Sequence, residues 1–172
     1  MDPDDNNDGN PDTSDPAPLN PNIPAASSDP PEQPSDLSNP PENEPGEVTP
    51  KVLQKVYDIA SRYKNLQCDL CAKAIEEYLK EQNIKASHIN LDTPQPRTHH
   101  DRFIYDDSLP PNSEAISYNG HHEGVAININ GEVKVFDNHH PNGVPYQEWK
   151  RDLVFDSKIR FGAEFNESGY LF

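Results

Sequence analysis

Large apolar side chains are scarce over the first 47 positions and then recur with regular periods, and this contrast orders the chain. Thr49-Pro50 reads as an N-cap residue followed by proline at the first helical position. Beyond it, Leu53, Val56, Tyr57 and Ala60 predict a short amphipathic helix ending near Tyr63. Lys64 and Asn65 predict a turn. A second helix then runs to about Gln82, with Cys68, Cys71, Ile75, Tyr78 and Leu79 at three- and four-residue spacing on one face.

From there the period shifts toward two. Ser87 to Leu91, Arg102 to Tyr105 and Ala115 to Tyr118 predict short strands, separated by the loops TPQPRTHHD and DDSLPPNSE. After an Asn119-Gly120 turn, His121 to Ile129 predicts a strand with Val125, Ile127 and Ile129 on one face. Asn130-Gly131 is a two-residue hairpin signal, and Glu132 to Asp137 returns. Pairing Ile129 with Glu132 sets Gly124 opposite Asp137 and His122 opposite His139. His122 and Asp137 then share a face, and Gly124 leaves space between them. A three-residue turn would shift the parity and separate the two. Further on, Pro145 opens a helix on which Tyr146, Trp149 and Leu153 align, with Trp149 expected in the core. Residues Lys158 to Phe172 fit either a final strand or a docked tail.

Composition divides the 172 residues in two. Residues 1–50 hold no Lys or Arg, 12 of the 30 acids and 13 of the 19 prolines. Residues 1–47 therefore read as a disordered acidic spacer rich in Pro, Asp and Asn, ahead of a domain over 48–172. Most of the net charge of −16 lies in that spacer, and no basic stripe is present to displace counterions from nucleic acid. The opening MDPDDNNDGN has neither a basic region nor an apolar core, so no secretory signal peptide is expected. No apolar run approaches the roughly 20 residues of a membrane span, and a soluble chain is expected.

Candidate chemistry centres on the second helix. A thiol at Cys68 lies among unpaired backbone N–H groups at the positive end of a helix dipole, and both favour thiolate. Histidine on one strand and aspartate on its neighbour complete a nucleophile, a base and an orienting group. Cys71, one turn in, is a rival nucleophile with a more packed position, which favours Cys68. By parity His121 shares the face of Val125 and Ile127 and points away from Asp137, which favours His122 as base over His121. Gln67, just before Cys68, is a candidate oxyanion donor beside the Cys68 N–H, or else a solvent-facing glutamine. Asp69 would oppose a thiolate if its carboxylate came close. Asn138 is expected to cap a strand end.

A zinc site is disfavoured because His121-His122 and His139-His140 are adjacent pairs whose members point to opposite faces. A redox Cys-x-x-Cys would follow a strand, whereas here a helix precedes it. No metal and no cofactor are expected.

The strings NLQCDLCAKAI, ISYNGHHEGV and VFDNHHPNGVPYQEW resemble the papain-fold toxin domains of bacterial polymorphic toxin systems, over about residues 50 to 155. The resemblance implies an α+β papain-like fold, with N-terminal helices packed on a small antiparallel sheet. It implies a cysteine-dependent amide hydrolase, either peptidase or protein deamidase. Such an enzyme would act as a toxin effector on a protein substrate in a target cell and would be neutralised by a cognate immunity protein. It would work in the cytoplasm, or be delivered into a target-cell cytosol by another route. Matched residue by residue, Cys68 is the nucleophile, His122 in Asn119-Gly120-x-His the base, and Asp137 in Val135-Phe136-Asp137-Asn138 the orienter. The substrate cleft is expected between the 92–101 and 106–114 loops. The alternative is a catalytically inactive papain-fold module that binds a partner through its acidic surface.

Overall fold

A computed structural model describes residues 46–172, and the spacer expected over 1–47 lies outside the described residues except for its last two positions. All described residues belong to the second of the chain's two units, Pro41–Phe172. In chain order the elements are α1 (Pro50–Ala60), α2 (Cys68–Glu81), β1 (Ser87–Asp92), a 3-10 turn (His99–Arg102) and β2 (Tyr105–Asp106). They continue with β3 (His121–Ile129), β4 (Glu132–Phe136), β5 (Val144–Pro145), α3 (Tyr146–Asp152), β6 (Leu153–Val154), α4 (Asp156–Phe161) and β7 (Asn166–Leu171).

The first helix starts where its cap dictates. Thr49 is extended, its side chain accepts the Val52 N–H at 3.3 Å, and Pro50 takes the first position. Beyond Ala60 the chain turns through Arg62 and Tyr63, whose N–H groups bond to Ile59 and Ala60, so the helix ends before Tyr63. On α2 the predicted apolar face is real: Cys68, Cys71, Ala72, Ile75 and Leu79 are buried. It packs with Val52 and Val56 of α1 onto Val125, Ile127 and Phe136 of the sheet.

That sheet is antiparallel and five-stranded, in the order β5-β4-β3-β1-β7. The β3–β4 hairpin has the expected register, Ile129 opposite Glu132 and Val125 opposite Phe136. Asn130 and Gly131 both have positive φ (54° and 92°), as a two-residue turn matching the strand twist requires. The sheet's other face carries a second core of Ile89, Leu91, Ala126 and Val135 against Trp149, Leu153 and Phe155. Helices on one side and the α3–β6 segment on the other make this the expected α+β arrangement, with β2 and β6 forming a separate two-stranded sheet.

Three expected elements differ. Residues 99–102 form a 3-10 turn, and only Tyr105–Asp106 pairs as a strand, with Leu153–Val154. Ala115 to Tyr118 contributes a single bridge, Ser117 to Ile104. At 99–102 the cause is Asp101, whose buried carboxylate accepts the N–H groups of Arg97, Thr98 and Ser157 at 2.7, 2.8 and 2.7 Å. A side chain that caps the backbone this fully competes with strand pairing. Leu153 lies in β6 rather than on α3. At the C-terminus, Asn166–Leu171 forms the edge strand β7 along β1. Among the described residues no helix is long and apolar enough to cross a membrane.

The space at Gly124 is filled from the adjacent strand and from α3: a Cβ there would lie 2.6 Å from Val135 Cγ1 and 3.1 Å from Trp149 Cζ2. Gly124→Ala is expected to destabilise the fold by about 1–3 kcal/mol through overpacking. Urea unfolding checks this, and an unchanged midpoint would contradict the packing described.

Candidate active site

The turn into α2 is tied to two segments distant in sequence. Asn65 donates from Nδ2 to the Ala115 carbonyl at 2.9 Å, and Asn138, next to Asp137, donates from Nδ2 to the Lys64 carbonyl at 2.9 Å. Immediately after these ties Leu66 adopts a left-handed backbone, φ 68°. A non-glycine residue there costs on the order of 1–2 kcal/mol and needs surrounding contacts to hold it. No side chain caps the N-terminus of α2. The N–H groups of its first turn, beginning at Cys68, therefore remain available to an incoming oxygen.

Cys68 is 8% exposed and lines a cavity of about 450 Å³, whereas Cys71 is fully buried and does not. Burial, then the Asp137 charge and Cys68, push the Cys71 thiol up to about 12, so it stays protonated. The Gln67 side chain turns back, its Oε1 accepting the Lys64 N–H at 2.8 Å, and Gln67 is not among the residues lining the cavity.

His122 and Asp137 come together on the face that strand parity predicts. His122 Nε2 donates to Asp137 Oδ2 at 2.9 Å, and both side chains are fully buried. The other ring nitrogen, Nδ1, is buried and has no hydrogen bond of ordinary geometry. The Cys68 thiol lies near enough to interact with the ring. Burial by itself would lower the imidazole's pKa. The Asp137 hydrogen bond, the Cys68 contact and the charge of both outweigh it, raising the pKa to about 9.

Asp137 accepts more than His122. Oδ2 also takes the Trp149 indole N–H at 2.7 Å, and Oδ1 takes the backbone N–H groups of His139 and His140 at 2.8 and 2.7 Å and the His140 ring at 3.1 Å. Burial would raise its pKa, but the two imidazoles hold it well below the usual carboxylate range. Trp149 is thus a core residue, as expected, and a donor to the site as well. Nothing in its helical spacing signals the second role.

His121 points the other way. Its Nδ1 meets Asp92 at 2.7 Å and its Nε2 meets Glu123 at 2.7 Å, which leaves no free ring nitrogen. Glu123 also meets His88 Nε2 at 3.0 Å, and His88 Nδ1 meets Glu76 of α2 at 2.7 Å. This polar chain fastens α2 to β1 and β3. Along with Cys68, the cavity is walled by Leu66, Asp69, Ile116, Tyr118, His121 and Glu123. The expected walls, the 92–101 and 106–114 loops, are not among its lining residues. Asp101 ties the first of those loops to Ser157, and the second follows β2, which pairs with Leu153–Val154.

The raised His122 pKa has a stability consequence with a definite sign. The pair's contribution is complete below pH 6.5 and is lost as pH rises through about 9, the span between the imidazole's ordinary and folded values. Urea midpoints should fall across that window, and Asp137→Asn should remove most of the slope. A flat wild-type profile would refute the pairing.

Comparison with curated proteins and with solved structures finds no match. Residues 51–154, which carry Cys68, His122 and Asp137 together with the packed helices and the hairpin, match a family model, and by that match the chain belongs to the family Papain fold toxin 2.

Proposed function

We propose that this papain-fold toxin is a cysteine-dependent amide hydrolase, with Cys68 as nucleophile, His122 as base and Asp137 as orienter. The observation that carries the reading is His122 itself. Its Nε2 is committed to a buried carboxylate, and its buried Nδ1 is left without a partner beside the Cys68 thiol.

The chemistry follows from those positions. His122 Nδ1 takes the Cys68 proton, and the thiolate attacks the amide carbonyl carbon. The oxyanion that forms is met by the open N–H groups at the start of α2, while the Gln67 side chain is turned back to Lys64 and takes no part. The His122 imidazolium then gives its proton to the leaving nitrogen as the C–N bond breaks, and a thioester remains on Cys68. Water, deprotonated by His122, attacks the thioester, releases the acid and restores the thiol. Throughout, Asp137 keeps Nε2 protonated, so that Nδ1 is the nitrogen that accepts and returns the proton.

Cys71, buried and held protonated, packs beneath the nucleophile. Its position also places a second sulfur one turn from the first. The substrate is a protein of the target cell, and the product is either a cleaved peptide bond or a deamidated side chain, since one triad serves both. A cognate immunity protein protects the producer.

Iodoacetamide at mildly acidic pH should modify Cys68 faster than a model thiol, and Cys71→Ala should leave that rate within a few-fold. His122→Ala should slow turnover by roughly 100- to 10,000-fold, the usual range for a lost general base. Labelling no faster than a free thiol would count against the enzyme and for a binding module. Mass spectrometry of cell proteins exposed to the wild type and to Cys68→Ala separates the products: new termini mean peptidase, and gains of about one mass unit at Gln or Asn mean deamidase.

A further inference from the structure

His140 has no part in the mechanism above, yet it is built into the site more firmly than any residue but Asp137. Its backbone N–H and its ring Nδ1 both reach Asp137 Oδ1, at 2.7 and 3.1 Å. On the ring's far side, Nε2 lies 3.1 Å from Ser108 Oγ and 3.2 Å from Asp106 Oδ2. The His140 side chain is 12% exposed, and the Asp106 side chain is fully buried.

The hydrogen-bond partners point to the ring's state. Asp137 is an acceptor only, so Nδ1 must carry hydrogen. The Ser108 hydroxyl gives its proton to Asp106 Oδ1, at 2.6 Å, and so has only a lone pair to offer Nε2. Nε2 must then carry hydrogen as well, and the ring is an imidazolium. Asp106 Oδ2 has no hydrogen bond of ordinary geometry and meets His140 as an ion pair. The groups facing this ring are Asp137, Asp106, His122 and His139.

We propose, on the basis of the His122–Asp137 reading above, that His140 is a positioning residue: a buried imidazolium, held by Asp106 and Ser108, that fixes Asp137 and draws off part of its charge. The row His122, Asp137, His140, Asp106 then alternates base, acid, base, acid. A carboxylate whose charge acted on His122 undivided would make the ring so basic that its Nδ1 proton would not pass readily to a leaving amine. With His140 sharing that carboxylate, His122 is kept basic enough to take the thiol proton and acidic enough to return it. Burial disfavours the His140 charge, but Asp137 and Asp106 outweigh burial, and the ring's pKa is raised.

Proton–nitrogen NMR of the histidine rings tests this without a substrate. In the wild type at pH 7 both ring nitrogens of His140 should be protonated, and a neutral tautomer would overturn the proposal. In a Cys68→Ala background, which removes coupling to the thiol, His140→Gln should raise the His122 titration midpoint by about one pH unit. His140→Lys, which keeps a cation between the carboxylates, should hold the midpoint within a few tenths of a unit. A role that is only structural gives the opposite sign, because a loosened Asp137 would lower the His122 midpoint. A lowered or unchanged midpoint in His140→Gln therefore also overturns the proposal. Should His140→Gln not fold, Asp106→Asn must lower the pH at which His140 loses its second proton, and no change there is equally fatal. These readouts do not use Cys68 chemistry, so an inert thiol would defeat the hydrolase reading and leave this one to stand or fall separately.

Discussion

One buried carboxylate organises the site end of this molecule. Asp137 is fully enclosed, and its two oxygens receive five N–H groups: two from imidazoles, one from an indole and two from the backbone that follows it. A buried charge is tolerated only when it is paired and hydrogen-bonded, so each donor is effectively compulsory. Meeting that demand fixes the end of β3 through His122, the turn after β4 through His139 and His140, and the seating of α3 through Trp149. The geometry that orients the His122 imidazole is the same geometry that keeps the carboxylate buried.

The helix that carries Cys68 arrives at this point by a separate set of ties. Asn65 and Asn138 pin the turn before α2 to the segments at Ala115 and Asp137, and Leu66 follows them in a left-handed backbone. The Glu76–His88–Glu123–His121 chain does the same for the body of α2 on the sheet. Together with Asp92, that chain occupies both nitrogens of His121, the histidine next to His122. Two polar systems on opposite faces of β3 thus divide the two adjacent imidazoles between structure and site, as alternation along a strand requires.

Much of this was legible in the sequence. The Thr49-Pro50 cap, the one-faced spacing of Cys68, Cys71, Ile75 and Leu79, and the Asn130-Gly131 turn each act over a few residues, where backbone geometry leaves little choice. Their consequences appear in the structure, including His122 and Asp137 on one face with Gly124 between. The short strand before Asp106 was misread because Asp101 caps its own loop and binds Ser157, a partner far along the chain. β7 was hard to foresee because Asn166–Leu171 lacks an alternating pattern and is set by pairing with β1.

By itself, then, the sequence determined side-chain direction: which residues share a helix face, which share a strand face, and where the hairpin turns. Tertiary structure alone decided company. That Trp149 and His140 both serve Asp137, that Asp106 balances His140, and that Cys68 rather than Cys71 opens onto a cavity all depend on segments distant in sequence. The physical reason is one of range. Torsional preferences and side-chain period act locally, whereas the cost of burying a charge or an unpaired polar atom is met by whichever groups the whole fold brings near.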